Sequence, residues 1–230
     1  MNKGKLYVVA TPIGNLEDIT YRAVSTLKSV AFILAEDTRE TKKLLNKYEI
    51  KTQTVSYRDQ NHEAMIGKIL EKLNIGLDLA LVSDSGTPLI SDPGFKLVRD
   101  LRENSIDIIS IPGPSAVISA LSISGIPTDK FLFLGFLPKS DTKKKKLLQS
   151  FSNIETTVVI YESPNRLIKL LDLFKELYPN QVIAAIRDLT KVREEVFYGK
   201  CTDIIEKLLA KGFDNSPHGE WVVIIDTRVS

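Results

Sequence analysis

Cysteine and histidine are scarce in this chain. Its 230 residues include one cysteine, Cys201, and two histidines, His62 and His218. A single cysteine excludes a disulfide framework, and these three side chains are a poor basis for a Cys/His zinc centre. We therefore expect no metal site. The same scarcity argues against a Cys–His or Ser–His nucleophilic pair. No two glycines are spaced G-x-G, so the dinucleotide fingerprint is missing, and there is no G-x-x-x-x-G-K-[ST], G-x-S-x-G or H-E-x-x-H. No apolar run approaches the ~20 residues of a membrane-spanning helix, and the N-terminal run Leu6–Ala10 is too short for a signal peptide. Charge of one sign is also lacking. A net charge of +2 does not announce a nucleic-acid binder, and it leaves room for a local basic patch. The expectation is a soluble cytoplasmic protein that does its chemistry by positioning.

What is present is a series of short apolar runs, each followed by a polar loop. An apolar share of 43% and a charged share of 26% are those of an ordinary globular chain, and the length allows one large or two small domains. The clearest run is Leu79–Val82, wholly apolar, which suits a strand buried on both faces. It leads into Ser83-Asp84-Ser85-Gly86-Thr87-Pro88-Leu89-Ile90-Ser91-Asp92-Pro93-Gly94. Ser91-Asp92 before Pro93 reads as a helix start, with Asp92 as the cap. Ligands of open α/β sheets settle in loops of this kind, at the carboxyl ends of strands.

Strands at 6–10, 30–35, 53–57, 79–82 and 107–111 alternate with helices at 20–28, 38–48, 63–73 and 93–103. This predicts a parallel sheet with helices outside it. Pro112-Gly113-Pro114 is the sharpest break, and we place a domain boundary there, with domains 1–113 and 114–230. The second half has strands at 131–136, 156–161, 181–186, 194–198 and 221–226. It has helices at 115–124, 164–177 and 203–210. Several strands follow one another directly, which predicts a mixed sheet. Leu167, Leu170, Leu171, Phe174 and Leu177 form one apolar stripe, read as core. The Lys143–Lys146 run reads either as a solvated helix face or as an electrostatic contact for RNA.

Seven motifs then occur in order: T-P-I-G-N-L from Thr11, E-D-T-R from Glu36, S-D-S-G-T-P-L-I-S-D-P-G from Ser83, P-G-P-S-A from Pro112, G-F-L-P from Gly135, Y-E-S-P-N-R from Tyr161 and R-D-L-T-K-V-R-E-E from Arg187. Over nearly the whole chain this series resembles the ribosomal RNA small-subunit (cytidine-2′-O)-methyltransferase family, within the tetrapyrrole methylase superfamily. Ser85 and Asp188 stand where that family usually has alanine and glutamate.

The resemblance implies a two-domain α/β fold of the tetrapyrrole methylase kind, with S-adenosylmethionine in a cleft between a parallel-sheet and a mixed-sheet domain. It also implies a homodimer whose substrate is small-subunit ribosomal RNA, free or assembled. Candidate cofactor-binding residues are Pro12, Ile13, Gly14, Ser83, Asp84, Gly86, Thr87, Pro88, Ile90, Ser115, Ala116, Tyr161, Pro217, His218 and Gly219. Tyr161 reads equally as a rim aromatic. Candidate bases for a ribose 2′-hydroxyl are Asp84, Asp37 and Glu162, each of which reads also as a cap or an ion-pair partner. Arg39, Arg166, Arg187 and Lys191 are candidate RNA contacts, although Arg166 and Arg187 could instead pair with Glu162 or Asp188. The rivals are methylation of a tetrapyrrole-like small molecule or of a protein, and a non-catalytic RNA-binding assembly factor.

Overall fold

A computed structural model describes residues 2–151 and 154–228. The chain divides into two compact units, Met1–Ser115 and Ala116–Ser230.

The first unit alternates strand and helix: β1 (Leu6–Val9), α1 (Tyr21–Ser29), β2 (Phe32–Ala35), α2 (Thr38–Lys47), β3 (Gln53–Ser56), α3 (His62–Asn74), β4 (Leu79–Val82), α4 (Phe95–Glu103) and β5 (Ile108–Ile111). The sheet order is β3-β2-β4-β1-β5, and every pairing is parallel. All five strands therefore end on the same edge. β4 lies at the centre, and its four apolar residues are all buried. Their alternation sorts them to the two faces. Ala80 and Val82 pack with Val9, Ala23, Leu27 and Ile33, whereas Leu79 and Leu81 pack with Leu34, Ile69, Leu73, Leu97 and Leu101. Each such leucine contributes about 1.5–3 kcal/mol by leaving water, which is why a four-residue run can anchor a sheet.

Local chemistry sets most helix starts. The Thr20 side chain accepts from the Ala23 amide at 3.1 Å, and Asp37 accepts from the Arg39 amide at 2.9 Å. The exception is α4. The expected start at Ser91-Asp92-Pro93 is wrong: the helix begins at Phe95, and its cap is Gly94 at φ +126°. A side chain at position 94 would meet Leu81 at 2.8 Å. The Gly94 amide donates instead to Asp59 Oδ1 at 3.1 Å, so the cap comes from the β3–α3 connection and Asp92 is left without that role.

His62 is the least expected core residue. It is 1% exposed, at the start of α3. Burial pushes the Tyr57 hydroxyl pKa up, so Tyr57 keeps its proton and donates it to His62 Nδ1 at 2.9 Å. His62 Nε2 donates to Asp100 Oδ2 on α4 at 2.9 Å. Arg99 and His62 together hold the Asp100 carboxyl below the usual range.

The second unit contains α5 (Ala116–Ile123), β6 (Phe131–Phe136), α6 (Asp141–Ser150), β7 (Thr157–Glu162), α7 (Pro164–Leu177), β8 (Val182–Arg187), β9 (Glu195–Lys200), α8 (Cys201–Ala210) and β10 (Trp221–Asp226). The order is β6-β7-β10-β8-β9, with β6 parallel to β7 and the other pairings antiparallel. Leu167, Leu170, Leu171 and Phe174 of α7 are fully buried on this sheet. Cys201 joins the same core, where burial pushes its thiol pKa up to about 11 and keeps it unreactive. The lysine run on α6 is not a uniform cationic face. Lys144 is buried and pairs with Asp141 at 3.3 Å, and Lys145 pairs with Glu176. Lys143 and Lys146 are the members of the run left for a solvated role.

Replacing His62 by leucine strands the Tyr57 hydroxyl and one Asp100 oxygen. The expected cost is about 2–3 kcal/mol, read as a lower urea midpoint, and an unchanged midpoint contradicts this assignment.

Candidate functional site

The common edge of the parallel sheet is closed by backbone contacts among the loops that follow β1, β4 and β5. The Thr11 amide donates to Gly86 O at 2.8 Å, and the Gly86 amide returns the bond to Thr11 O at 3.1 Å. Two adjacent loops are thereby joined as an isolated antiparallel pair. The Thr11 hydroxyl adds contacts to Ser83 O at 3.2 Å and Gly86 O at 3.4 Å. Thr87 Oγ1 donates to Pro114 O at 3.1 Å and ties in the third loop. Gly86 sits at φ +82°, and an added Cβ would lie 3.3 Å from Ile13 Cγ2. Gly113 is pressed on Ala10, 3.1 Å from its Cβ. These glycines keep main-chain atoms bare where side chains would otherwise fill the space.

Thr11, Pro12, Ile13, Ser83, Gly86 and Pro88 are buried in this frame, Thr87, Ser115 and Ala116 are half-buried, and Gly14, Asp84 and Ile90 are exposed. Leu89 and Ser91 have φ of 73° and 66°, two left-handed residues in one loop. Non-glycine residues adopt this region at a cost of about 1–3 kcal/mol each when the surroundings impose it, a pattern that concentrates at functional sites.

Carboxylates gather on this edge. Asp84 Oδ1 accepts from the Asp37 amide at 2.9 Å, which links the ends of β4 and β2. Asp37 is engaged by its own helix. It accepts from the Arg39 amide and holds the guanidinium through both oxygens, at 3.1 and 2.7 Å, so its pKa lies well below the usual range. Glu36 is pushed up by burial and by Asp84, against the pull of Arg58. Asp92 is pushed up to about 6, first by burial, then by Glu36 and Asp84, with a hydrogen bond from Ser83 opposing. Among the described residues no group of three or more His, Cys, Asp or Glu is arranged to hold a metal ion.

Sequence reading did not assign Glu36 or Asp92 to the site. The available signal was the parallel register, which sets Ala35 beside Val82 and so Glu36 beside Ser83. It needed the strand order, which the residue pattern alone does not contain.

The mixed sheet brings its own motifs to one edge. Trp221, the first residue of β10, pairs with Glu162 at the end of β7 and with Arg187 at the end of β8. Glu162 is fully buried, and its Oε1 accepts from the Ser163 amide at 2.7 Å and from Arg166 Nε at 2.6 Å. Its Oε2 is buried without a hydrogen-bond partner. Arg166 also reaches Leu137 O at 3.3 Å. Arg187 bonds Glu195 at 2.8 Å and His218 Nε2 at 3.0 Å and lies against the Trp221 ring. Lys191 pairs with Glu220 at 3.0 Å and Asp188 at 3.4 Å, which raises its pKa. Arg39 presents far more of its side chain to solvent, at 87% exposure, than Arg166, Arg187 or Lys191.

Tyr161 is half-buried, edge-on to Phe133 and Phe136 at 4.8 and 5.7 Å. Gly219 lies where a Cβ would strike Arg187 Cγ at 2.7 Å, so the Pro217-His218-Gly219 turn is moulded on that arginine. Asp188 and Thr190 carry φ of 52° and 64°, a second pair of left-handed residues in a motif loop.

A parallel α/β sheet with a backbone-braced, phosphate-free loop edge, followed by a mixed α/β sheet with its own polar edge, is the architecture of the α/β methylases. The chain belongs to the tetrapyrrole (corrin/porphyrin) methylase family, which residues 5–205 match. Within it stand its close relatives, named ribosomal RNA small subunit methyltransferase I. The Rickettsia prowazekii protein of that name is 45% identical, over 99% of this chain and 80% of its own. The Thermotoga maritima protein is 43% identical, over 98% and 99%. Solved structures share the fold at low identity. A cobalt precorrin-4 methyltransferase superposes with TM-score 0.69 at 17% identity, over 96% of this chain and 94% of its own. The uroporphyrin-III C-methyltransferase of Thermus thermophilus, in complex with S-adenosylhomocysteine, does so with TM-score 0.63 at 16%, over 97% of each.

Two glycine substitutions separate the braced loop from ordinary helix. Gly86→Ala forces a left-handed alanine against Ile13 and is expected to cost about 1–3 kcal/mol. Gly67→Ala, in α3 with nothing within 4 Å of the added Cβ, is expected to gain about 0.5–1 kcal/mol. Thermal unfolding of both variants checks the opposite signs, and equal shifts contradict the assignment.

Proposed function

We propose that this chain transfers a methyl group from S-adenosylmethionine to the ribose 2′-hydroxyl of a cytidine in small-subunit ribosomal RNA, working in the cytoplasm as a homodimer. The observation that carries the proposal is identity of 43–46% to proteins named ribosomal RNA small subunit methyltransferase I, over nearly the whole chain and with every motif loop included.

The residues present fit this donor. It has no phosphate, so a Gly-rich phosphate loop is not required, and none exists. The bare main chain at Gly86 and the braced loops around it suit a ligand recognised through amides and carbonyls. The donor is a cation, and the edge carries Glu36, Asp84 and Asp92 rather than a cluster of lysines. When bound, the sulfonium supplies an activated methyl and departs as a neutral thioether, so most of the driving force is its own.

The protein's share is to bind and orient. In this reading Pro12, Ile13, Gly14, Ser83, Asp84, Gly86, Thr87, Pro88, Ile90, Ser115 and Ala116 wall the donor from the first unit. Tyr161 and the turn at Pro217-His218-Gly219 serve it from the second. Holding two reactants in line is worth roughly 7 kcal/mol or more, which a frame of mutually bonded loops can supply because little of it must reorganise. Arg39 is the cation we assign first to RNA phosphate, with Lys191, Arg187 and Arg166 nearer their own acidic partners. Glu162 and Asp37 hold their own arginines, and this favours orientation as their part in the reaction.

Incubation with methyl-labelled S-adenosylmethionine and either free small-subunit RNA or assembled subunits tests the proposal. The expected product is label in an alkali-resistant dinucleotide that begins with cytidine, because hydrolysis of that linkage requires a free 2′-hydroxyl. Label in a base, in protein, in a tetrapyrrole or nowhere contradicts it.

A further inference from the structure

Methylation of a hydroxyl releases a proton, and the first unit offers five carboxylates near its strand ends to receive it. Four are occupied. Asp37 is clamped by Arg39. Asp59 Oδ1 accepts from the Gly94 amide. Asp84 Oδ1 accepts from the Asp37 amide, and the residue is exposed. Glu36 has Arg58 beside it, whose Nε also bonds the Glu36 carbonyl at 3.0 Å.

Asp92 differs from all four. It caps no helix, because α4 begins three residues later on Gly94. Among the described residues it forms no ion pair, and the partner identified for its carboxyl is the hydroxyl of Ser83. It sits half-buried in the loop that the Thr11–Gly86 brace and the left-handed Leu89 and Ser91 hold in place. We propose that Asp92 is the group that accepts the proton of the substrate hydroxyl, with Glu36 as the residue that tunes it; this rests on the methyltransferase reading above.

In the step, the O–H bond breaks and its proton passes to a carboxylate oxygen of Asp92. The electron pair left on oxygen forms the new O–C bond, and the pair of the breaking S–C bond stays on sulfur. The groups that face Asp92 are Glu36 after β2, and Ser83 and Asp84 after β4. Arg58, Asp59 and Asp37 act on Glu36 in turn. Burial and two acidic neighbours make Asp92 a stronger base than an ordinary carboxylate, yet one still ionised at neutral pH, where a general base is worth roughly 10²–10⁴-fold.

The same environment has a consequence for the ligand-free chain. The pKa of Asp92 is about 6 folded, against 3.8 for an unperturbed carboxyl. Between those values the folded chain holds a proton that the unfolded chain has released, so stability falls as pH rises through that window. Above about pH 6 the whole penalty is present.

The experiment is Asp92→Asn and Glu36→Gln, each measured for unfolding temperature against pH without donor, donor affinity, and methyl transfer. Asp92→Asn is expected to raise the unfolding temperature at pH 7 and to lose that gain towards pH 4. It is also expected to lower the turnover rate on RNA by about 10²-fold or more with donor affinity kept. Glu36→Gln is expected to move the acidic limb of the pH–rate profile to lower pH. A lower unfolding temperature for Asp92→Asn at pH 7, a turnover within twofold of the parent, or an unmoved acidic limb overturns the inference. A parent chain that transfers no methyl overturns the methyltransferase reading and the inference with it. A parent that transfers while Asp92→Asn matches it overturns the inference alone.

Discussion

The pair of backbone hydrogen bonds between Thr11 and Gly86 is the constraint on which the first unit's edge depends. β1 and β4 are already neighbours in the sheet, so their loops would be free to diverge once the strands end. The brace prevents this, and it works only with a glycine at position 86, where φ is +82° and Ile13 leaves no room for a side chain. Everything else at that edge is placed from it. Ser83 and Asp84 lie just before the brace, Thr87 just after it reaches Pro114, and Asp92 stands at the far side of the same loop.

The strain at Leu89 and Ser91 becomes intelligible in that setting. A loop held at Gly86 and again at Gly94 must turn back within a few residues, and left-handed backbone is how it does so. The Gly94 end is held by Asp59, which belongs to the segment between β3 and α3. That segment also carries Tyr57 and Arg58, bound to His62 and to the Glu36 carbonyl. The buried Tyr57–His62–Asp100 chain thus lies behind the carboxylate edge, fixing the connection from which Glu36 and Gly94 are supported. Stability and site geometry share the same few residues.

Much of this was legible from the residues. Leu79–Val82 and Trp221–Asp226 read directly as strands because a short apolar run bounded by Gly, Pro or charge has few other uses. The α7 stripe read as core for the same reason. What failed to read were features set by partners distant in sequence. Asp92 before a proline has the local form of a helix cap, and only Asp59, more than thirty residues earlier, moves the cap to Gly94. His62 looked like one of two unremarkable histidines, because Asp100 is contributed by a different helix. The lysine run looked uniform, because burial of Lys144 and pairing of Lys145 depend on how α6 lies on its sheet. The grouping of Glu36, Asp84 and Asp92 required the strand order β2-β4-β1.

The central claim is that the braced loops grip a cationic methyl donor through main-chain atoms. Amide hydrogen exchange with and without S-adenosylmethionine tests it most directly. The account predicts new protection at amides 13–14, 84–90 and 115–116, stronger for the sulfonium donor than for neutral S-adenosylhomocysteine. Unchanged exchange across all three segments, at donor concentrations where binding is complete, would contradict it.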